Sequence, residues 1–444
     1  MMEVGSSSRE ILDPKKDHVA IDIVHEENLA YLIKEKMDSI SPSHCVCRVP
    51  EQLFKEYREY YFPSTVSIGP FHRHKVEAME EKKWCYFDTL LSRNHKAEET
   101  LDSCIKAVRH VEKQARKFYG QTVDMGSDEF VEMLLVDGCF IIELLLEYAI
   151  KSLRRRDDPI FSTNDTIYGI RRDLILLENQ VPFFILERLF HLVPIPTQCQ
   201  LSLVELALCF FKNILSMHDE HIPREKYDPK IHHLLDLIRQ HYLPTSPEVL
   251  SNVQHEHKNL PHHAIHLVDI GASLKPMISE ESPLNINFLD GELKIPPLKI
   301  DGYTEILFRN LIAMELCCHE LPKHVASYAV FMKRLLRYKR DVRLCQMKKI
   351  LIDGCGREGQ IVGLFKRLCV DVDIDNTNFS YNEICERIHG YEANSKQVWW
   401  KRLRHSYHRT HAGVASLSVV LLLLVFLFTG VLFLAVNFLF HHFQ

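Results

Sequence analysis

The chain has 444 residues, 46% hydrophobic and 25% charged, which supplies a sizeable core and excludes a disordered polymer. A formal net charge of -5, with no concentrated basic face in the body, excludes an electrostatic footprint for nucleic acid. Thirteen cysteines, an odd number with no C-x-x-C pair, lie scattered through helix-like segments, as at Cys104, Cys139, Cys209 and Cys369. That pattern excludes a disulfide scaffold and reads as reduced, buried thiols.

The polar amino terminus, MMEVGSSSREILDPKKDH, lacks the apolar core of a secretory signal, so the chain is expected to start in the cytosol. Residues 1–43 read as a polar tail and a first helix over Ala20–Ile40, in which Leu29, Leu32, Ile33, Met37 and Ile40 share a face until SPSH breaks it. A composite body follows over residues 44–394. Its early stretch VSIGPFHRHK sets His72 and His74 two apart, after a strand-like run and a turn at Gly69 and Pro70. The two histidines stand at a strand-to-helix junction and share no strand face, so the pair reads as architecture, with Phe71 as a core plug, and not as a metal clamp.

Apolar periodicity predicts helices over Val76–Leu91, Leu101–Phe118, Glu129–Ile150, Ile170–His191, Leu201–Leu215, Pro229–His241, Thr304–His319, Lys323–Lys339 and Gly359–Leu368. Residues 243–266 form a Pro-, Ser- and His-rich connection, expected to be mobile. LNINFLDGELKIPPL then alternates apolar and polar residues around Asp290-Gly291, which predicts a β-hairpin over 284–296 that Pro296 and Pro297 terminate. The fold class is therefore mainly α, a multi-helix cytosolic body with a small β-hairpin.

Three stretches imitate ligand sites. Gly354, Gly356 and Gly359 match G-x-G-x-x-G, but the acids Asp371, Asp373 and Asp375 arrive too early and no further βαβ units follow; helix termination explains the glycines better. DVDIDN resembles the start of a calcium loop, yet Asn376 and Asn382 stand where glycine and a bidentate glutamate belong. His262 and His266, four apart with His255 and His257 nearby, have no correctly spaced carboxylate or cysteine. No catalytic residue, cofactor or metal is expected.

From Ala412 to Phe440 no side chain is ionisable, and the run is long enough to cross about 30 Å of hydrocarbon. The sequence predicts a transmembrane helix over 412–440, with a basic juxtamembrane segment at 395–411 and a short tail at 441–444. Trp399 and Trp400 read as interfacial rings, and Lys401, Arg402, Arg404 and Arg409 as a positive collar that keeps the body cytosolic. This describes a tail-anchored, single-pass protein whose sequons at Asn164 and Asn378 escape glycosylation. The long Phe- and Val-rich anchor favours a thick bilayer such as the plasma membrane over endomembranes.

The ordered segments CRVPEQLFKEYREYYFPSTVSIGPFHRHKVEAMEEKK, LVDGCFIIELL, RRDLILLENQVPFFILERL, LNINFLDGELKIPPLKID, FRNLIAMEL and SYAVFMKRLL, followed by a membrane helix, resemble the plant domain of unknown function 247 family, also known as the uncharacterised protein family UPF0481. The resemblance implies a plant origin and a largely helical domain, and it carries over no catalytic residue. Some grass members are implicated as pollen-side determinants of self-incompatibility, so it implies recognition or signalling at a membrane. Where relatives read Ile-Tyr-Arg-Val-Pro and Gly-Pro-Tyr-His-His, this chain has Val46-Cys47-Arg48-Val49-Pro50 and Gly69-Pro70-Phe71-His72-Arg73; Arg73 in place of the second histidine again argues against a metal clamp.

The residues that carry the resemblance are Arg48, Pro50, Pro63, Gly69, Pro70, His72, Glu80, Lys83, Asp137, Gly138, Glu178, Asn179, Gln180, Pro182, Pro296, Asn310 and Glu315. Structural roles are expected for them. Arg48 needs a carboxylate such as Glu80; Glu178, Asn179 and Gln180 satisfy backbone groups freed at Pro182; Gly138 admits a neighbouring helix. The expected function is that of a non-enzymatic membrane protein binding protein partners as well as the lipid bilayer. The alternative is a membrane-tethered hydrolase or transferase. They differ in whether Arg48, His72, Glu80, Asp137, Glu178 and Asn179 line an open pocket or are held in interior hydrogen bonds.

Overall fold

The computed structural model describes residues 46–73, 75–215, 227, 230–243, 263–277, 282–318, 320–353, 358–370, 372, 374, 379–394 and 411–442, with side chains of the last helix described over 419–436. The fold is mainly helical, with a few short strands and one carboxyl-terminal apolar helix. The predicted helix over Ala20–Ile40, His74, most of the 243–266 connection, Gly354, Gly356, the acids at 371, 373 and 375, and the basic collar lie outside the described residues.

A short helix α1 (Glu51–Phe54) is followed by α2 (Glu80–Leu91), α3 (Ala97–His110), α4 (Glu112–Phe118), α5 (Ser127–Ala149), α6 (Asn164–Leu174), α7 (Phe183–Leu192) and α8 (Leu203–Leu215). α5 is the axis. Its sequence is apolar over most of its circumference, and α2, α3, α7 and α8 pack around it, so nearly every residue from Phe130 to Glu147 is buried. At Gly138 the side chains of α7 come close: a Cβ there would lie 2.5 Å from Leu189 Cδ1. α8 opens with a capping box, in which the Ser202 amide donates to Glu205 Oε2 at 2.7 Å and the Glu205 amide donates to Ser202 Oγ at 3.3 Å.

The second half contains α9 (Leu234–Tyr242), α10 (Ala264–Asp269), strands β1 (Ser273–Pro276), β2 (Asn287–Leu289), β3 (Glu292–Ile295) and β4 (Leu298–Ile300), then α11 (Thr304–Cys317), α12 (His324–Leu335), α13 (Lys339–Met347), β5 (Leu351–Asp353), α14 (Glu358–Leu368) and α15 (Asn382–Asn394). The hairpin forms where expected, with Phe288 opposite Leu293. Its turn residues Asp290 and Gly291 both take positive φ, 51° and 77°, as a two-residue turn matching the twist of the strands requires. The buried carboxylate of Asp341 fastens α10 to α13 by accepting from the Ile265 amide at 3.0 Å and contacting His263 Nδ1 at 2.8 Å. One apolar cluster runs from Val46 to Ile388. The last helix, α16 (His411–His442), stands apart from it, and its apolar window Val419–Val436 is not covered by the rest of the described protein.

Several elements differ from expectation. The stretch read as one helix over Ile170–His191 is two, α6 and α7, with residues 175–182 irregular between them. Proline disfavours helical backbone in the residue before it and lacks an amide hydrogen, so the chain stops short of Pro182 and restarts after it. Leu101–Phe118 is likewise divided at Val111, and Lys323–Lys339 ends at Leu335, with α13 a separate helix. The helix α10 occupies part of the segment read as a loop. Pro296 and Pro297 do end β3, but pairing resumes at once: β4 lies parallel to β5, Leu298 opposite Leu351. Strand β1 adds to the hairpin in parallel, Leu274 opposite Leu293. These parallel partners come from 19 and 53 positions away, by subtraction of the paired numbers, and carry no turn signal of their own.

Candidate functional site

Three signature residues, Lys83, Asp137 and Asn179, converge on the segment 64–72, which is neither strand nor helix although Val66 to Gly69 are all buried. A buried backbone with no ladder needs other partners, because an unpaired amide or carbonyl away from water costs as much as a lost hydrogen bond. Here side chains replace the ladder. Asp173 Oδ2 accepts from the amides of Ser64, Thr65 and Val66 at 3.0, 2.5 and 3.0 Å. Asn179 Oδ1 accepts from the Ile68 amide at 2.7 Å, while its Nδ2 donates to the Val66 carbonyl at 3.1 Å. Asp137 Oδ2 accepts from the Gly69 amide at 2.8 Å, and Lys83 Nζ donates to the Ser67 carbonyl at 2.7 Å. The strand-like run is thus a strap held by α2, α5, α6 and the α6–α7 connection.

Glycine is obligatory at position 69. Its φ is +72°, and a Cβ would meet the Gln180 carbonyl oxygen at 2.5 Å. That same carbonyl accepts from Tyr119 Oη at 3.1 Å. The buried Lys83 is paired with Asp137 at 2.7 Å and with Glu80 at 2.6 Å. Burial works to strip the Lys83 proton, but the two carboxylates outweigh it and lift its pKa above the ordinary lysine value. Burial also raises the Asp137 carboxyl, opposed by Lys83 and the Gly69 amide, and raises Asp173 against the three amides and Arg172.

Glu178 is the outward end of the network. It accepts from the Val49 amide at 2.7 Å and from Arg48 Nη1 at 2.8 Å. Burial alone would raise its pKa, but His72, the Val49 amide and Arg48 together hold it below the ordinary carboxylate range. Arg48 therefore pairs with Glu178, and Glu80 belongs to Lys83. The fully buried His72 ring lies with Nε2 3.3 Å from Glu178 Oε2, poorly aligned for a hydrogen bond, and Nδ1 3.3 Å from Lys75 Nζ. An ammonium group only donates, so Nδ1 is the acceptor and Nε2 carries the hydrogen facing Glu178. Phe71 is half-buried, roofed by the Arg48 guanidinium at 4.0 Å and packed edge-on against Tyr119.

The remaining signature residues are also committed. Gln180 Nε2 donates to the carbonyls of Leu174 and Leu176, and its Oε1 accepts from the Leu235 amide. Asn310 Oδ1 accepts from the Leu177 amide at 2.9 Å, and its Nδ2 donates to the Tyr60 and Ile306 carbonyls. Glu315, fully buried, accepts from the amides of Val325 and Ala326, with Arg239 Nε 3.4 Å away. Its burial, opposed by Arg239 and the two amides, pushes its pKa up to about 7. Pro50 precedes α1, Pro63 lies just before the strap, and Pro296 is buried just after β3.

None of these residues lines the cleft of 570 Å³ between α1 and the end of α14. That cleft is bordered by Gln52, Leu53, Lys55, Glu56, Tyr57, Arg309, Val370 and Val372. Its buried cation Arg309 is already bonded to Glu305 at 2.9 Å and stacked 3.8 Å over Tyr57. Among the described residues, no group of three or more His, Cys, Asp or Glu is arranged to hold a metal. His266 Nε2 instead faces Glu392 Oε1 at 3.4 Å.

Two clusters escaped sequence reasoning. On α5, Glu143 and Glu147 are buried one turn apart, with Arg93 Nη2 2.5 Å from Glu143 and Tyr86 Oη donating to Asp158 at 2.7 Å. Burial, with Glu143 and Asp158 adding like charge, pushes Glu147 up to about 9, so it keeps its proton at neutral pH. Two acids at i and i+4 inside LLVDGCFIIELLLEYA were the available signal. The second cluster joins Cys47 to Cys317 and Cys318, and no local pattern announces it.

Against known proteins, the chain matches over residues 46–426 a family, DUF247, described as plant protein of unknown function. It is similar to UPF0481 protein At3g47200 of Arabidopsis thaliana, 29% identical over 407 residues that cover 86% of this chain and 84% of the relative. It is also similar to a second Arabidopsis thaliana protein named for UPF0481, At3g02645, 20% identical over 473 residues covering 86% of this chain and 88% of that one. No solved structure matches.

Proposed function

This chain belongs to the plant family of unknown function DUF247, and on that premise we propose that it is a non-enzymatic recognition or signalling component, anchored in a membrane through α16 with its helical body in the cytosol. The observation that supports the reading is the fate of the signature polar groups: Asp137, Glu178 and Asn179 are buried and bonded to backbone or to paired cations. A catalytic acid or base needs access to a reacting proton. α16 supports the anchor, since its exposed apolar side chains would otherwise face water over a length that spans hydrocarbon. The arginines and lysine at 401, 402, 404 and 409 favour retention of the body on the cytosolic side, and the long apolar run favours the plasma membrane.

Proximity labelling in plant cells, with the ligase fused to the amino terminus, tests both parts. The expected result is a reproducible set of cytosolic and membrane-associated protein neighbours, with the fusion protease-sensitive in sealed vesicles. An absence of reproducible neighbours overturns the recognition reading; protease protection of the body overturns the orientation. A hydrolase or transferase activity lost in Glu178→Gln with the fold intact would establish the enzyme instead.

A further inference from the structure

Cys47 precedes the strap, and Cys317 and Cys318 close α11, 271 positions away from Cys47 in the case of Cys318. The fold brings Cys47 Sγ within 3.9 Å of Cys318 Sγ, while Cys317 Sγ turns aside to the Arg48 carbonyl at 3.6 Å. All three are half-buried and reduced. We propose that Cys47 and Cys318 are a reversible oxidation site that a peroxide converts to an intramolecular disulfide, clamping the entry to the strap onto the end of α11.

The geometry sets the pair. A disulfide has sulfurs about 2.05 Å apart, so closure from contact distance asks for side-chain rotation by roughly 2 Å and no rearrangement of helices. The two thiols differ from their neighbour in reactivity. The Cys318 hydrogen bond lowers the Cys47 pKa against the effect of burial, whereas burial, with Cys47 and Glu178, pushes Cys317 up to about 12. The thiolate is the nucleophile, so Cys47 reacts first and Cys317 stays inert. Deeply buried Cys104 and Cys139, both fully inaccessible, are out of reach of oxidant.

The chemistry balances without a metal or cofactor. The Cys47 thiolate attacks one peroxide oxygen; an S–O bond forms as the O–O bond breaks, and the departing oxyanion takes a proton to leave as water or alcohol. The Cys318 thiolate then attacks the Cys47 sulfenic sulfur, forming S–S and releasing hydroxide, which is protonated to water. Two thiols and one peroxide yield one disulfide, one water and one water or alcohol. In the cytosolic orientation proposed above, glutathione returns the pair to thiols, which makes the clamp transient. The pairing itself does not depend on that orientation.

The test is peptide mapping of the full-length protein in detergent micelles after one equivalent of hydrogen peroxide and alkylation of remaining thiols. The expected outcome is loss of alkylation at Cys47 and Cys318 together, before the exposed Cys85, with a linked Cys47–Cys318 peptide that reduced glutathione removes. The link should vanish in Cys47→Ser and in Cys318→Ser and persist in Cys317→Ser. Oxidation should raise the melting temperature of the parent and Cys317→Ser proteins but not of the other two. Prior oxidation of Cys85, a Cys47–Cys317 link in the parent protein, or a disulfide-linked dimer through Cys47 overturns the proposal.

Discussion

Replacing Asn179 by alanine isolates the use of side chains as a substitute ladder. The fully buried amide bonds the Ile68 amide, the Val66 carbonyl and the Asp173 carbonyl at 2.7, 3.1 and 2.9 Å. The Asp173 carbonyl keeps a second donor, the Leu176 amide at 3.3 Å, so truncation orphans two groups, not three. Each orphan costs about 1–3 kcal/mol, giving a loss on the order of 3 kcal/mol once partial relaxation is allowed. For a body of about 350 residues that lowers the melting temperature by roughly 4 °C. Asn179→Asp retains an acceptor for Ile68 but turns carboxylate oxygen toward the Val66 carbonyl, and should be at least as damaging. The assay is thermal unfolding of the full chain in micelles, with hydrogen exchange of a peptide covering 64–71 as the local readout. The exposed Asn94→Ala is the control, expected within about 0.5 kcal/mol of the parent. A melting shift under about 1 °C, with exchange of the strap unchanged, refutes the reasoning.

Gly69→Ala should cost about 3 kcal/mol or more, because it adds a Cβ at positive φ against a rigid carbonyl. Gly138→Ala should stay within about 1 kcal/mol of neutral: the contact is the end of Leu189, which can rotate, and alanine gains up to about 1 kcal/mol of helix propensity. Equal melting shifts for the two would contradict this. Glu315, with its pKa raised from 4.5 to about 7, holds a proton in the folded state that the unfolded chain releases, so its contribution is complete below pH 4.5 and is lost as pH rises to about 7. The loss amounts to about 3 kcal/mol. His324 acts oppositely, since burial and Arg239 lower it to about 4 and its contribution is lost as pH falls from 6.5 toward 4. Melts across pH 4.5–7 should therefore gain stability with pH more steeply in Glu315→Gln than in the parent; parallel curves would disprove the assignment. Changing residues 401, 402, 404 and 409 all to glutamate should invert or scatter the orientation of the anchor, read by protease protection of the body; unchanged protection would show that these charges do not set it.

The features legible in the sequence are those whose cause is local. An uncharged apolar run is long enough to span a bilayer whatever else the chain does, Asp290-Gly291 supplies the positive-φ turn at its own position, and helical periodicity marks α2, α5, α8, α11 and α14 near their observed bounds. The sequence offers Gly138 and the residues before Pro182 as structural positions for the same reason, since a missing Cβ and a missing amide are properties of single residues. Tertiary structure alone decided partners. Nothing in VSIGPFHRHK reveals that its backbone is satisfied by side chains 16 to 113 positions away. Glu178 rather than Glu80 receives Arg48 because the fold brings the α6–α7 connection to it, and β4 pairs with β5 although α11, α12 and α13 lie between them in the chain. The meeting of Cys47 with Cys318 is the extreme case: both are ordinary thiols in the chain, and only a contact across 271 positions makes them a pair.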